Sequence, residues 1–391
     1  MENFDYLIIG GGMTGDAAVS GIREIDQKGS VGLISMEKDE PYIRPALSKG
    51  LWKKLPLEKI WLHTREKGAQ LSLGKTVTRL DVDKKEATLE DGQIFHYSKL
   101  LLATGAVPRR FPFGEQEIIY YRTMEDFRKV QAMVQAKKEF IVIGSGFIGS
   151  EIAAALAMNG INVELLDTLT GIGWNIFPPH MVKYLNQYFR ERGVTIHTQT
   201  MVSGLNLNNG RFNISTKDGQ NYSADVVLAG IGVLPEISLA KRAGIATENG
   251  ILVDENLQTN IQNVFAAGDV ASFSSSALGK RIRVEHADNA REMGRQAGRN
   301  MTGVNEKYDY LPMFYSDLFD LGYEAVGSLD SRMDIFEDWQ DKYKKGVLYY
   351  LETGRVRGVL LWNVWEKLDS ARELIRSKSI WNNVDLHNRI K

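Results

Sequence analysis

The chain has 391 residues, 43% of them hydrophobic and 25% charged, and carries a formal net charge of −1. That length exceeds one ordinary core and suffices for two or three domains. The near-neutral charge argues against recruitment to nucleic acid or an anionic membrane, and the absence of cysteine removes disulfide, thiolate, sulfenic-acid and cysteine-ligated iron–sulfur chemistry from the chain itself.

In chain order, Met1–Asp5 is acidic and reads as no secretory leader. No apolar run approaches the roughly 20 residues of a membrane span, so a soluble, cytoplasmic protein is expected. Asp5–Ile9 predicts a short buried strand, Gly10–Gly15 a turn, Asp16 to about Lys28 a helix, and Val31–Ser35 a second strand. This is the opening of a right-handed βαβ unit. After an apolar strand at Leu100–Ala103 the order returns, with a strand at Phe140–Ile143, a turn at Gly144–Gly149, a helix over Ser150–Asn159 and a strand at Asn162–Leu166. The repetition predicts two Rossmann-like dinucleotide-binding units in an α/β chain. Further buried strands are expected at Val226–Ala229 and Val264–Ala267. Beyond Asn305 the texture becomes antiparallel, with strands at Glu324–Ser328, Met333–Asp338, Lys345–Glu352 and Arg357–Trp362, a turn at Thr353-Gly354, and a helix from about Lys367 to Ser377. That is a C-terminal α+β domain.

Gly10-Gly11-Gly12-Met13-Thr14-Gly15 matches G-x-G-x-x-G between a strand and a helix. Gly10 allows the tight turn, Gly12 lets a pyrophosphate approach the backbone, and Gly15 lets the helix pack on the strand. Free amides and the positive helix end hold the phosphates. Glu37, about 27 positions past Gly10, is the candidate for the ribose, somewhat beyond the usual spacing of roughly 20. The second turn, Gly144-Ser145-Gly146-Phe147-Ile148-Gly149, matches in full, and Asp167 ends its second strand. A carboxylate there accepts from ribose hydroxyls and repels a 2′-phosphate, and no Arg or Lys lies between Asp167 and His180 to receive one, which favours NADH over NADPH. The alternative reading of Asp167 is a turn residue or helix cap. Two such units suggest a flavoprotein in which one nucleotide stays and the other visits.

The chain resembles the two-dinucleotide-fold flavoprotein reductases of the pyridine nucleotide-disulfide oxidoreductase superfamily, in the branch of apoptosis-inducing factor and the ferredoxin and rubredoxin reductases. The matching segments run almost end to end: Leu7–Gly15, Pro41–Trp52, Leu102–Pro108, Ile143–Glu151, Val264–Ala271, Val284–Ala290, Phe314–Leu318, Gly322–Gly327 and Lys345–Trp365. The resemblance implies FAD and NADH as cofactors and no metal. It implies that Asp269 binds the ribityl or phosphate region, that Arg44 to Lys49 wrap the flavin, and that Lys49 sits by the isoalloxazine ring paired with Glu151. Read without it, Glu151 is a helix acid facing the dipole and Lys49 a surface residue. Phe147 is expected over the flavin until NADH displaces it, and His286, with Glu285 beside it, near the flavin and nicotinamide. Thr104, Gly105 and Gly232 complete the expected cofactor set. Tyr315 stands where such proteins often carry tryptophan.

The expected layout is an FAD domain over Met1–Phe111 and Gly232–Asn305, an NADH domain inserted at Pro112–Ile231, and a C-terminal domain from residue 306. The expected function is an NADH:acceptor oxidoreductase that sends electrons from FAD to a small ferredoxin or rubredoxin, with Arg281, Arg283, Arg291, Arg295 and Arg299 either docking that acidic partner or serving as ordinary surface charge. The alternative is a slow, NADH-responsive flavoprotein that forms a stable charge-transfer complex and acts through partner binding or homodimerisation.

Overall fold

The computed structural model describes residues 2–114, 118–377 and 379–390. The chain divides into two compact units, one formed by Met1–Arg44, Pro56–Val107 and Leu234–Pro312, the other by Pro45–Leu55, Pro108–Val233 and Met313–Lys391. Among the described residues no helix is long and apolar enough to cross a membrane.

In the first unit, strand β1 (Glu2–Ile9) lies between β2 (Val31–Ser35) and the strand Ile94–Leu102, parallel to both, with Ile9 level with Ile34 and Leu102. Ala69–Leu73 and Val264–Ala266 extend the parallel pairing, and Val77–Asp81 and Glu86–Leu89 add an antiparallel edge. Leu7, Ile8, Leu33, Leu100 and Leu101 are fully buried, the pattern of a parallel sheet covered on both faces. Helix α1 (Met13–Ile25) starts three residues earlier than its apolar periodicity suggests, because Gly12 is already its N-cap. It packs on the helix Ala287–Met301 nearly backbone to backbone. A Cβ at Gly21, Gly294 or Gly298 would fall 2.0, 2.4 or 2.1 Å from a facing carbonyl oxygen. Part of the chain's glycine thus belongs to this helix seam and not to turns.

In the second unit, β3 (Phe140–Ile143), α2 (Phe147–Met158) and β4 (Val163–Leu166) repeat the arrangement, within a parallel sheet ordered Val194–His197, β4, β3, Val226–Ala229. The ribbon of Val202–Asn208, Arg211–Thr216 and Asn221–Ala224, and the helices Met124–Gln135 and Pro179–Arg190, were not anticipated. The C-terminal part is a five-stranded antiparallel sheet that opens with β5 (Met313–Leu318) and continues through Leu321–Gly327, Arg355–Trp362, Lys345–Glu352 and Asp334–Asp341. The expected strand Lys345–Glu352 is met at both ends, the other three expected strands lie within three residues of these bounds, and the closing helix is Leu368–Arg376. Thr353 and Gly354 both take positive φ, 50° and 75°, between the paired Glu352 and Arg355, the two-residue hairpin turn that matches strand twist. Its core is aromatic: buried Tyr323 and Trp362 stack at 5.8 Å, with Phe177 edge-on to both.

The segment Pro45–Leu55, read from sequence as part of the FAD domain, packs in the second unit. Two hydrogen bonds converge on the Leu47 carbonyl, from Trp52 Nε1 at 2.7 Å and from the Tyr121 hydroxyl at 2.5 Å, and the Trp52 ring meets Phe127 edge-on at 5.2 Å.

Candidate functional site

Of the three glycines of the first turn, Gly10 and Gly15 are forced by the surrounding backbone and Gly12 is not. Gly10 has φ 128°, and a Cβ there would lie 2.0 Å from the Ala103 oxygen. A Cβ at Gly15 would lie 2.1 Å from the Gly10 oxygen, whereas one at Gly12 would meet nothing within 4 Å. Gly12 therefore faces open space at the start of α1, whose first amides have no side-chain cap. An uncapped helix end opening onto free volume fits a pyrophosphate. Sequence reasoning missed Asp16, a buried acid in the first turn of α1. Lys67 Nζ reaches both of its oxygens at 2.7 Å and Thr64 Oγ1 donates at 2.7 Å, so its charge is compensated at the phosphate end.

Around this turn the first unit gathers most of the expected FAD residues. Glu37 accepts from the Tyr42 hydroxyl and from Arg44 Nη2, both at 2.6 Å. Arg44 also donates to the Tyr42 hydroxyl at 3.0 Å and lies over its ring at 5.0 Å. Burial opposes the Arg44 charge, but Tyr42, Glu37 and the more distant Asp269 together hold its pKa above the usual value. Asp269 sits in a short 3-10 turn whose Gly268 (φ 78°) would, with a Cβ, strike Thr14 Oγ1 at 2.2 Å. The Asp269 carbonyl accepts from Arg283 Nη1 at 3.0 Å, and Arg283 pairs with Glu285 at 2.7 Å. His286 is the N-cap of the helix Ala287–Met301. Burial drives its pKa down to about 4, against the pull of Asp269 and Asp288, so the ring is neutral at physiological pH. Thr104 Oγ1 donates to the Glu236 carbonyl at 2.7 Å, and Gly105 takes φ 69° in the same bend.

The second turn repeats the first. Gly144 has φ 96°, a Cβ on Gly149 would lie 1.8 Å from the Gly144 oxygen, and a Cβ on Gly146 would find nothing nearer than 3.9 Å. Gly146 caps α2 without a side-chain bond. Gly232 takes φ 94° past the end of Val226–Ala229. Asp167 spends both oxygens on this loop, accepting from the Ser145 and Leu169 amides at 2.6 Å each. The turn reading is thus visible in its contacts, and the remaining lone pairs leave capacity for a ribose hydroxyl. Gly10 and Gly144 donate to Ile34 and Leu166 respectively, which aligns Ser35 with Asp167. Ser35 does the same local work, accepting from the Glu37 amide at 3.2 Å. Glu37 therefore lies two residues beyond the position of Asp167, which accounts for part of its long spacing.

Lys49 and Glu151, 102 positions apart, meet within the second unit at 2.7 Å. The Glu151 side chain is 2% exposed and that of Lys49 12%. Glu151 also accepts from Ser48 Oγ at 2.7 Å and from Ser316 Oγ at 2.6 Å. It stands at the fifth residue of α2, with no acid in the first turn, so the dipole reading does not describe it. The Lys49 ammonium lies 5.0 Å from the centre of the Tyr315 ring, a cation–π distance. Phe147, 40% exposed, meets Phe314 edge-on at 5.3 Å. The arginines offered as a docking face are largely engaged within the first unit: Arg295 and Arg299 bind Glu24, Arg299 also binds Glu306, Arg281 donates to the Val253 and Ser272 carbonyls, and Arg283 is placed as above. Arg291 is exposed.

The family model for pyridine nucleotide-disulphide oxidoreductases matches residues 4–294, and that for the C-terminal part of mitochondrion-associated apoptosis-inducing factor matches residues 297–339 and 335–377. The chain is 34% identical to apoptosis-inducing factor 1, mitochondrial, of Dictyostelium discoideum, over 96% of this chain and 79% of that protein. It is 30% identical to putidaredoxin reductase of Pseudomonas putida, over 96% and 92%. A crystal structure of the covalent putidaredoxin reductase–putidaredoxin complex superposes with a TM-score of 0.88 at 30% identity, covering 96% of this chain and 94% of that one. Lacking cysteine, the chain has no access to the disulfide chemistry in the family's name. It belongs to the pyridine nucleotide-disulphide oxidoreductase family, and its cofactors are FAD and NAD(H).

Proposed function

We propose that the chain is an NADH-dependent FAD oxidoreductase that delivers electrons one at a time to a small iron–sulfur protein of the ferredoxin or rubredoxin type. The observation that carries this reading is the buried Lys49–Glu151 pair with its two hydroxyl donors. When bound, the flavin accepts a hydride from the nicotinamide and releases its electrons singly, chemistry that no side chain here supplies. The chain's share is binding and electrostatics. Gly10, Gly12 and Gly15 with Glu37, Arg44, Asp269, Thr104 and Gly105 hold FAD, and Gly144, Gly146, Gly149, Asp167 and Gly232 hold NADH. Lys49 offers a fixed positive charge where negative charge develops, which lowers the barrier without a proton transfer. Glu151 keeps that ammonium in place. His286, neutral above about pH 4, contributes a polar ring near the nicotinamide without adding charge. Phe147, Tyr315 and Glu285 complete the expected contacts to the two cofactors.

Two relatives support this acceptor: one is named as a putidaredoxin reductase, and a solved neighbour is that enzyme joined to putidaredoxin. A second reading, a slow flavoprotein that acts through a lasting charge-transfer complex, draws on the apoptosis-inducing-factor match of the C-terminal part. Anaerobic stopped-flow mixing with NADH, followed by oxidised ferredoxin or rubredoxin, separates them. Fast bleaching and rapid reoxidation by the iron–sulfur protein support the reductase. Slow bleaching with a persistent long-wavelength band, indifferent to the acceptor, would overturn it.

A further inference from the structure

We infer that Ser316, assisted by Ser48, is the positioning residue of the Lys49–Glu151 pair, an inference that rests on the function proposed above. The carboxylate is loaded unevenly. Its Oε2 accepts from Ser48 Oγ and Lys49 Nζ, neighbours in the segment Pro45–Leu55, at 2.7 Å each. Its Oε1 accepts from Ser316 Oγ at 2.6 Å, from a strand 165 positions away along the chain. The two donors on Oε2 leave the carboxylate free to turn about the axis through that oxygen, and the Ser316 hydroxyl on Oε1 removes that freedom. The plane of Glu151, and with it the direction in which Lys49 is held, is set by a residue on β5.

The same strand touches the pair twice. Successive side chains of a strand point to opposite faces. Ser316 is 1% exposed while Tyr315, 38% exposed, presents its ring to the Lys49 ammonium. Ser316 is directly opposite Tyr323 in the neighbouring strand. That phenol is buried and its pKa lies well above 10, through burial first and the Glu151 charge second. It therefore backs the cluster as a neutral group, and Glu151 and Lys49 remain the charges to be balanced.

The test is a double-mutant cycle on the FAD-loaded protein, read both as the rate of anaerobic reduction by NADH and as the midpoint potential of the bound flavin. Ser316→Ala is expected to slow reduction roughly tenfold, the scale of one hydrogen bond to a charged group, and to lower the potential, with FAD content unchanged. Ser316→Thr, which keeps the hydroxyl, is expected to restore part of both, and Ser48→Ala to shift both in the same direction as Ser316→Ala. In a Lys49→Met background Ser316→Ala should add nothing, because a residue that acts through Lys49 has nothing left to position. An equal loss in both backgrounds would overturn the inference and leave the proposed role of Lys49 standing. A Lys49→Met protein with unchanged rate and potential would overturn both.

Discussion

Glu151→Ala removes the acceptor of three donors at once. Lys49, 12% exposed, is left as an unpaired ammonium, and the Ser48 and Ser316 hydroxyls lose their partner. Deleting one member of a buried ion pair costs about 3–5 kcal/mol, most of it the stranded charge. Lys49 has a flexible four-carbon stem and some access to solvent, so about 3 kcal/mol is expected for the second unit. Urea unfolding followed by tryptophan fluorescence reads this, since Trp52 and Trp362 lie in that unit. The FAD residues of the first unit are untouched, so the protein should purify yellow with a full complement of flavin. Its reduction by NADH, measured anaerobically by stopped flow, should slow by a factor of about ten or more, or need correspondingly more NADH, because the ammonium is no longer fixed. Glu151→Gln provides the control. Its amide oxygen can still accept from a serine while the charge is gone, so it should lose less stability than Glu151→Ala but a comparable share of rate. A Glu151→Ala protein reduced with wild-type rate and NADH affinity would refute the assignment of this pair to the reaction.

Three further outcomes are expected. Gly12→Ala should leave the apoprotein stable yet weaken FAD retention, and Gly146→Ala should do the same for NADH, because a Cβ at either position meets open volume; Gly15→Ala, 2.1 Å from a carbonyl oxygen, should instead destabilise the fold, and thermal melting with cofactor titration separates the two classes. Asp167→Ala strands the Ser145 and Leu169 amides at about 1–3 kcal/mol, so it should raise the NADH concentration needed for reduction, narrow the preference over NADPH and leave FAD bound. His286 titrates near pH 4 in the folded protein against 6.5 ordinarily, so the unfolded chain binds a proton that the native state refuses. Stability should therefore fall as pH drops from 6.5 towards 4, by at most about 2 kcal/mol at pH 5 for a half-buried ring, and His286→Gln should flatten that part of the urea-midpoint profile.

Local signals made the nucleotide turns readable. Their glycines sit at the spacing the motif encodes, and in the structure a Cβ would strike backbone at Gly10, Gly15, Gly144 and Gly149, while Gly12 and Gly146 border open space. The antiparallel C-terminal strands were legible for a similar reason, since a two-residue turn fixes their register. Other features had no local signature. Ser48 and Ser316 look like any serine until the fold brings both to Glu151. Asp16 reads as an ordinary helix-start acid, and its neutralisation depends on Lys67, 51 positions away. The arginines of the helix Ala287–Met301 looked available in sequence, but ionic partners at Glu24 and Glu306 could be seen only in three dimensions.

The two turns share a backbone but differ in charge, and that difference bears on which nucleotide stays. In the first unit two carboxylates near the turn have a compensating cation: Asp16 has Lys67, and Glu37 has Arg44. At the position equivalent to Asp167 this unit has Ser35, a neutral hydroxyl that makes the same bond to the amide two residues on. The second unit has the carboxylate itself, bonded to two amides and, among the described residues, to no cation. Two amides hold a carboxylate in place without cancelling its field, so the loop beside the uncapped end of α2 carries a charge that the Ser35 hydroxyl does not bring to α1. The charge that refuses a 2′-phosphate also weakens the hold on the diphosphate. On loops with matching glycines, the hydroxyl of Ser35 against the carboxylate of Asp167 is thus a difference that favours retention of FAD over retention of NADH.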